Sequence, residues 1–266
     1  MVKRRYAMAV CALLLMGLCG CRQPARTALA IRGGPSLQGL FAELARAYEA
    51  QHPAVAIQSN FTCPPCRVME AGNMPLDFDI FVSFGDFELQ KLREHSSFVP
   101  ASSTAIGSTR LVIATSTRVQ TPIKSVADLH RASFRRLGIG NPETVGVGYY
   151  AKQALTKMGL WDELQPRMLF SQSGCELLKW LGLGHDVDAA VVFSLCVGDE
   201  PGAVQQVMSF PSEVAPPVPM LLAVPQGAPH AAEAQRFIEF ARQAQDILRK
   251  HRVEPVSVNP TGKQQP

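Results

Sequence analysis

A glycine-rich segment from Leu137 to Ala151 carries the residue types of an anion-binding turn. Its apolar beginning predicts a short strand, its middle is a glycine-flanked turn, and its end has the pattern of an amphipathic helix. Such a turn places backbone N–H groups at the positive end of a helix, where an anion is bound without a cationic side chain. A glycine-rich loop alone has low specificity, so the elements around it decide how far this interpretation holds.

The amino terminus has the pattern of an export signal. Three cations at positions 3–5 precede a short apolar run from Ala7 to Leu18, which is too short to span a bilayer comfortably. The run ends in Leu18 to Cys21, which resembles the lipobox of bacterial lipoproteins. We therefore expect a lipoprotein with Cys21 as its lipidated N-terminus, located in the cell envelope, periplasmic or on the outer face of a membrane. An ordinary secretory signal and an uncleaved anchor helix are the alternatives.

The charge balance argues against a nucleic-acid partner. The whole chain carries a formal net charge of +4, and the predicted signal holds three cations and no acids, so that its removal leaves about +1. A nearly neutral chain has no long-range basic field to concentrate polyanions. The sequence also lacks a nucleophile elbow, a P-loop and carboxylates paired at catalytic spacing. We expect no enzymatic activity and no cofactor.

The first part of the chain alternates predicted strands with a predicted helix. Strands are expected at Ala28 to Ile31, Val55 to Ser59 and Asp79 to Ser83. Ser36 stands as the N-cap of the helix. The apolar residues of that helix recur at helical spacing and predict one buried face: Leu37, Leu40, Phe41, Leu44 and Tyr48. This alternation argues for a mainly parallel sheet with covering helices.

A second alternation follows after a buried-looking strand. The predicted strands are Leu111 to Ala114, one that ends at Ile139, Met168 to Phe170, Ala189 to Phe193 and Met220 to Val224. The predicted helices are Tyr149 to Met158, Glu176 to Leu183 and a C-terminal helix whose apolar face holds Phe237, Phe240, Ala241, Ala244, Ile247 and Leu248. The periodicity by itself supports an α/β protein of one or two domains.

The stretch that begins at Leu137, down to Trp161 to Leu164, resembles the periplasmic molybdate-binding proteins of ABC importers. Their second lobe carries a similar strand, a D-P-E-x-V-P-A-G-x-Y-A turn and helix, and a closing G-x-W-D-x-L segment. Here Asn141 replaces the aspartate, and Gly146-Val147 replace the Pro-Ala pair. The similarity covers roughly residues 28 to 254.

The resemblance implies an α/β, two-lobed type II periplasmic binding protein fold with two crossing strands between the lobes, near 111–116 and 219–225. The C-terminal helix would return to lobe one. The predicted organisation is a lipoprotein signal peptide at 1–21, a tether at 22–27, lobe one at 28–110 plus 222–254, lobe two with the crossing strands at 111–221, and a polar tail at 255–266.

The resemblance also implies a solute-binding protein of an ABC importer. Such a receptor captures a tetrahedral oxyanion, molybdate or tungstate first, in a cleft between its lobes, closes around it and docks on the ABC permease. The anion is held by hydroxyls and backbone N–H groups, which need no charged partner to be desolvated. We expect a monomer that touches the membrane only through its lipid anchor.

The ligand positions of the family can be placed on this sequence. Ser36 stands at a hydroxyl ligand after the first strand, and Thr62 stands at a second, within one residue. Val147 and Gly174 fall at positions whose N–H groups point into the cleft. Phe193 falls where the family usually has a tyrosine hydroxyl, and it has no donor, so it matches in position only. A plain helix cap for Ser36 and simple core packing for Phe193 are the alternatives.

Four cysteines have no place in an oxyanion site of this kind, and by the resemblance they fall on loops that face the cleft: Cys63, Cys66, Cys175 and Cys196. One interpretation is two disulfides within the lobes, Cys63–Cys66 and Cys175–Cys196, in an oxidising compartment. Another is a four-thiolate site for Zn²⁺ or another soft ion. A redox pair and free thiols are also open. The alternative function is therefore a cell-envelope thiolate metal-binding or redox protein on the same fold.

Overall fold

The computed structural model describes residues 26–61, 77–95, 98–118, 123, 125–130, 136–183, 187–198 and 202–256. Several predictions concern residues outside these ranges: the signal peptide with Cys21, the hydroxyl ligand Thr62, the C-x-x-C pair of Cys63 and Cys66, and most of the polar tail. Among the described residues, no helix is both long and apolar enough to cross a membrane.

The first sheet has six strands in the order β11-β4-β10-β3-β1-β2 among the described residues. Its strands are β1 (Thr27–Gly33), β2 (Val55–Phe61), β3 (Ile80–Phe84), β4 (Pro100–Thr109), β10 (Val218–Pro225) and β11 (Glu254–Pro255). β1 runs parallel to β2 and β3, whereas β10 is antiparallel to β3 and β4. The carboxyl ends of the three parallel strands therefore meet at one edge.

The second sheet has five strands in the order β7-β6-β8-β5-β9 within the same described ranges. They are β5 (Leu111–Ser116), β6 (Leu137–Gly140), β7 (Met168–Ser171), β8 (Ala189–Phe193) and β9 (Val204–Ser209). β6 is parallel to β7 and β8, and β5 is antiparallel to β8 and β9. This sheet repeats the arrangement of the first, with three parallel strands that end at one edge.

Helices cover both sheets. The described α-helices are α1 (Gln38–Gln51), α2 (Phe87–His95), α3 (Gly146–Lys157), α4 (Trp161–Leu164), α5 (Gly174–Leu183), α6 (Ala231–Gln243) and α7 (Gln245–Lys250). The predicted apolar face of α1 is buried, with Leu40, Phe41, Leu44 and Tyr48 at most 1% exposed. Burying each such side chain stabilises the fold by about 1.5–3 kcal/mol, which is why the 3.6-residue spacing decides how α1 lies on the sheet.

The chain crosses between the sheets twice. Arg110 separates β4 of the first sheet from β5 of the second, and residues 210–217 lead from β9 back to β10. The two sheets and their crossings form the two-lobed type II arrangement, so the predicted fold class is confirmed.

The C-terminal helices return to the first sheet through buried polar contacts. The carboxylate of Asp79, which is 2% exposed, accepts the backbone N–H groups of Ala30 and His230, each at 2.9 Å. Tyr48 of α1 donates its hydroxyl to Glu233 of α6, and burial raises the pKa of Tyr48 to about 12. These bonds fix α6 against β1, β3 and α1, so the last helical segment completes the lobe that the chain began.

Three details of the sequence interpretation need correction. Ser36 is not a helix cap, because a 3-10 helix at Pro35–Leu37 precedes α1 and neither Gly34 nor Leu37, the residues at the two cap positions, makes a side-chain cap bond. The C-terminal helix breaks at Ala244 into α6 and α7. The periodicity also missed α2 and the long strand β4, where the apolar pattern is weak.

Candidate anion-binding site

A cavity of about 60 Å³ lies between the two sheets. One wall comes from loops and strands of the first sheet: Gly34, Pro35, Ser36, Phe81, Val82, Ser83, Phe84 and Glu88. The other comes from the second: Thr144, Val145, Gly146, Val147, Gln172, Ser173, Gly174, Phe193 and Cys196. A water needs about 10–15 Å³ on this scale, so the cavity has room for a few waters or one small ion. No lysine, arginine or histidine is among the described residues that line it.

The first wall presents side-chain oxygens. Ser36 is partly exposed in the short helix that follows β1, and its hydroxyl has no capping role to compete with a ligand. Ser83, at 1% exposure near the end of β3, lies with its Oγ 2.7 Å from the Gly85 carbonyl oxygen and 3.0 Å from Oε2 of Glu88. This wall therefore offers hydroxyl groups and one carboxyl group.

The second wall is built on the glycine-rich turn between β6 and α3. Asn141 organises this turn, because its side-chain Oδ1 accepts the N–H of Glu143 at 3.0 Å and its carbonyl accepts the N–H of Val145 at 2.8 Å. Helix α3 then starts at Gly146 without any side-chain cap. A Cβ built on Gly148 would lie 2.0 Å from the Gly140 carbonyl oxygen, so the helix approaches the strand as closely as it does only because glycine stands there.

Helix α5 contributes a second helix start to the same wall. Ser173 Oγ accepts the N–H of Glu176 at 3.2 Å, and the Glu176 carboxylate accepts the N–H of Gln172 at 2.7 Å. The first bond is the N-cap half of a capping box, and the second reaches the residue before the cap; together they hold the turn in place. Gly174 opens α5 and lines the cavity. Two helix N-termini therefore converge on one small volume, and their dipoles favour negative charge there.

Glu88 is an ionisable group that the sequence interpretation missed. It lies in α2 and its carboxylate accepts bonds from the Ser83 hydroxyl and from the backbone N–H groups of Phe84 and Gly146. Burial nevertheless raises the pKa of Glu88 to about 7. Its position in the chain could have identified it. In open α/β sheets, ligands bind beside the carboxyl ends of the strands, and Glu88 lies four residues after the end of β3.

Phe193 forms an apolar part of the wall. It is 3% exposed, and its ring centroid lies 4.7 Å from that of Phe84 and 6.3 Å from that of Tyr150. The residue occupies the predicted position in the cavity and also packs in the core. It supplies an apolar ring and no hydrogen-bond donor to the cavity.

The cysteines divide between described and undescribed residues. Cys196, at 2% exposure, lines the cavity, and its Sγ lies 3.8 Å from the position of a Cβ built on Gly174. Cys175 is partly exposed at the start of α5. Within the described part of the chain, no cluster of three or more histidine, cysteine, aspartate or glutamate side chains is placed to hold a metal. The proposed four-thiolate set and the Cys63–Cys66 disulfide stay predictions, since Cys63 and Cys66 lie outside that part. The Cys175–Cys196 disulfide stays a prediction as well.

The predicted ligand positions thus fall together where they are described. Ser36, Val147, Gly174 and Phe193 line one cavity, although they are far apart in sequence. Thr62 lies outside the described residues; Phe61, which precedes it, ends β2 in register with Gly33 at the edge that carries Ser36. Their roles as ligands remain predictions. The cavity is also lined by polar residues that the sequence interpretation did not assign to the site: Ser83, Glu88, Thr144, Gln172 and Ser173.

Known proteins resemble this chain over most of its length. The profile of the family described as bacterial extracellular solute-binding protein matches residues 29–251. The putative ABC transporter substrate-binding lipoprotein YvgL of Bacillus subtilis is 24% identical over 255 residues, which cover 92% of this chain and 95% of YvgL. The molybdate-binding protein ModA of Escherichia coli is 26% identical over 191 residues, which cover 70% of this chain and 72% of ModA.

A solved structure agrees at the level of the fold. The periplasmic molybdate-binding protein of Azotobacter vinelandii superposes with a TM-score of 0.68 at 19% sequence identity, over 86% of this chain and 100% of that chain.

Proposed function

Because the chain belongs to the bacterial extracellular solute-binding proteins, we propose that it captures a tetrahedral oxyanion, molybdate or tungstate first, in the cavity between its two sheets. One observation carries this proposal: the starts of α3 and α5 and the hydroxyl of Ser36 converge on a small volume that no described cation lines. The names of two relatives support the choice of ligand, since ModA and the Azotobacter protein are molybdate-binding proteins.

Neutral donors suit an oxyanion whose charge is spread over four oxygens. Each charge-assisted hydrogen bond contributes roughly 1.5–3 kcal/mol, and donors fixed by helix starts need no rearrangement when the ligand enters. Val147 and Gly174 would supply N–H groups from the second wall, while Ser36 and Thr62 would supply hydroxyls from the first. Phe193 would cover the anion with an apolar ring and keep water out.

The two crossings between the sheets would act as the hinge when the two lobes close around the ligand. Arg110 and residues 210–217 are the connections that a closing motion would bend. The closed form would then dock on an ABC permease, as a monomer held to the membrane through a lipid on Cys21. The name of YvgL, a substrate-binding lipoprotein, supports the lipid anchor.

A calorimetric screen tests the proposal. The purified protein is titrated with molybdate, tungstate, sulfate and phosphate, and separately with Zn²⁺ as a soft divalent ion. We expect saturable binding of molybdate and tungstate at one site per chain. A ligand at 100 times its dissociation constant should also stabilise the fold by about 2.7 kcal/mol, which a thermal-shift assay detects. Binding of Zn²⁺ with no response to any oxyanion would contradict the proposal and favour the thiolate alternative.

A further inference from the structure

Glu88 places a negative charge in the cavity proposed for an anion. Its carboxylate belongs to the first wall, yet it accepts the backbone N–H of Gly146, the first residue of α3 on the second wall. The contact is close, because a Cβ built on Gly146 would fall 2.0 Å from Oε1 of Glu88. The Ser83 hydroxyl holds the other carboxylate oxygen at 3.0 Å. Glu88 thus lies where the helix start would otherwise bind an external anion.

A dianion and a carboxylate cannot share this volume without a large cost. The two charges would repel each other in a water-poor site, where screening is weaker than in bulk solvent. None of the described residues that line the cavity is a cation that would offset this repulsion. One proton removes the conflict, since a protonated carboxyl group donates a hydrogen bond to an oxyanion instead of repelling it.

We propose that Glu88 makes this a proton-linked site, in which an oxyanion is bound together with one proton shared between the Glu88 carboxyl group and a ligand oxygen. The inference rests on the proposed function and adds a condition to it: the protonation states of the oxyanion and of Glu88 decide whether the oxyanion binds. An oxyanion that carries its own proton, such as hydrogen phosphate, brings the shared proton with it. A fully deprotonated dianion, such as molybdate, enters only when the proton is on Glu88.

The surroundings of Glu88 fit this assignment. Burial raises the pKa of Glu88 to about 7, so a proton is available near neutral pH. The other ionisable side chains around it are Asp86 just before α2, Tyr150 on α3 and Cys196 on the far wall of the cavity. Burial and the charges of Glu88 and Asp86 raise the pKa of Tyr150 to about 12, which keeps its ring neutral.

Calorimetry over a pH series tests the inference with the full-length mature protein. Molybdate is titrated at pH 6, 7, 8 and 9 in pairs of buffers with different ionisation enthalpies, which count the protons taken up on binding. We expect the uptake to approach one proton at pH 8 and above, and the dissociation constant to rise about tenfold per pH unit above 7. Below pH 7 we expect the dissociation constant to be independent of pH.

A matched pair of variants locates the proton. Glu88→Gln should remove both the proton uptake and the pH slope, so that at pH 9 it binds molybdate about 100-fold more tightly than the wild type. Glu94→Gln, an exposed position on the same helix, should keep the wild-type slope. Because the proton count is made on the wild type, the test does not depend on how well Glu88→Gln folds.

The outcomes separate this inference from the proposed function. Molybdate binding without proton uptake, or a slope that persists in Glu88→Gln, would overturn the role of Glu88 and leave the receptor standing. No binding of molybdate, tungstate or phosphate by either protein at any pH would overturn the proposed function and this inference with it.

Discussion

The two walls of the cavity are built by different means, although each rests on three parallel strands. The first wall, after β1 and β3, presents side-chain groups: the hydroxyls of Ser36 and Ser83 and the carboxyl group of Glu88. The second wall, after β6 and β7, presents helix starts at Gly146 and Gly174. The same topology therefore supplies donors from side chains on one side and from the backbone on the other.

This difference has a consequence for substitution. A side-chain donor can be exchanged without moving the chain, so the first wall can change its chemistry residue by residue. A backbone donor depends on how closely a helix approaches a strand, so the second wall depends on glycines. We expect changes in the second wall to affect folding first and changes in the first wall to affect binding first.

The largest expected effect is at Gly148. Its substitution by alanine would place a Cβ 2.0 Å from the Gly140 carbonyl oxygen, an atom that cannot move away because it belongs to a central strand. We expect Gly148→Ala to lower the free energy of unfolding by about 3 kcal/mol, measured by urea denaturation. Gly34→Ala is the control on the first wall, because nothing lies within 4 Å of a Cβ built there. Equal stability of the two variants would remove the distinction between the walls.

The next effect concerns Glu88 and depends on pH. The pKa of Glu88 is raised from 4.5 to about 7 in the folded protein, mainly by burial. A raised carboxyl pKa means that the folded state holds the proton more tightly, so the contribution of Glu88 to stability is fully present below pH 4.5 and is lost as pH rises through 7. Glu88→Gln should match the wild type near pH 4.5 and exceed its stability by about 3 kcal/mol at pH 8.

Thermal unfolding of both proteins between pH 4.5 and pH 8 measures this difference. A stability gap that is constant over the range, or one that grows as pH falls, would contradict the assignment of a raised pKa to Glu88. Glu94→Gln serves again as the control, since it lies on the same helix without lining the cavity.

Ser36→Ala should weaken oxyanion binding and leave the fold intact. Removal of one hydroxyl donor to a buried anion costs roughly 1–3 kcal/mol, or about 5- to 150-fold in the dissociation constant. Stability should change little, because Ser36 caps no helix. Ser103→Ala, at an exposed position on β4, is the matched control for both measurements. Unchanged affinity for molybdate in Ser36→Ala would show that the hydroxyl is not a ligand.

The smallest expected effect is at Ser173. Its hydroxyl accepts the N–H of Glu176 at the start of α5, and loss of such a cap typically costs about 1 kcal/mol. We expect Ser173→Ala to lower stability by about that amount and to weaken ligand binding only slightly, because Gly174 stays in place. Denaturant unfolding and calorimetry on one preparation measure both quantities. A loss of affinity larger than that of Ser36→Ala would mean that Ser173 itself contacts the ligand.

Much of the fold was predictable because the periodicity of apolar residues is a property of short sequence segments. The helix α1 and the strands β5, β8 and β10 bury most of their apolar residues, and the pattern located each of them within a few residues. α2 was missed because its sequence is mostly polar. The failure to predict α2 matters for the site, since this helix contains Glu88.

The sequence by itself determined the α/β alternation and the glycine-rich turn at residues 137–151, because strand and helix periods and turn chemistry act over a few residues. The positions of Ser36, Val147, Gly174 and Phe193 came from the resemblance of the sequence to a known family. Only the tertiary structure decided that these positions line one cavity, that Ser36 caps nothing, and that Glu88 reaches the start of α3. Those facts depend on how two sheets face each other across the crossings. The pKa of Glu88 is also set by tertiary structure, because it depends on burial, which the local sequence pattern does not predict.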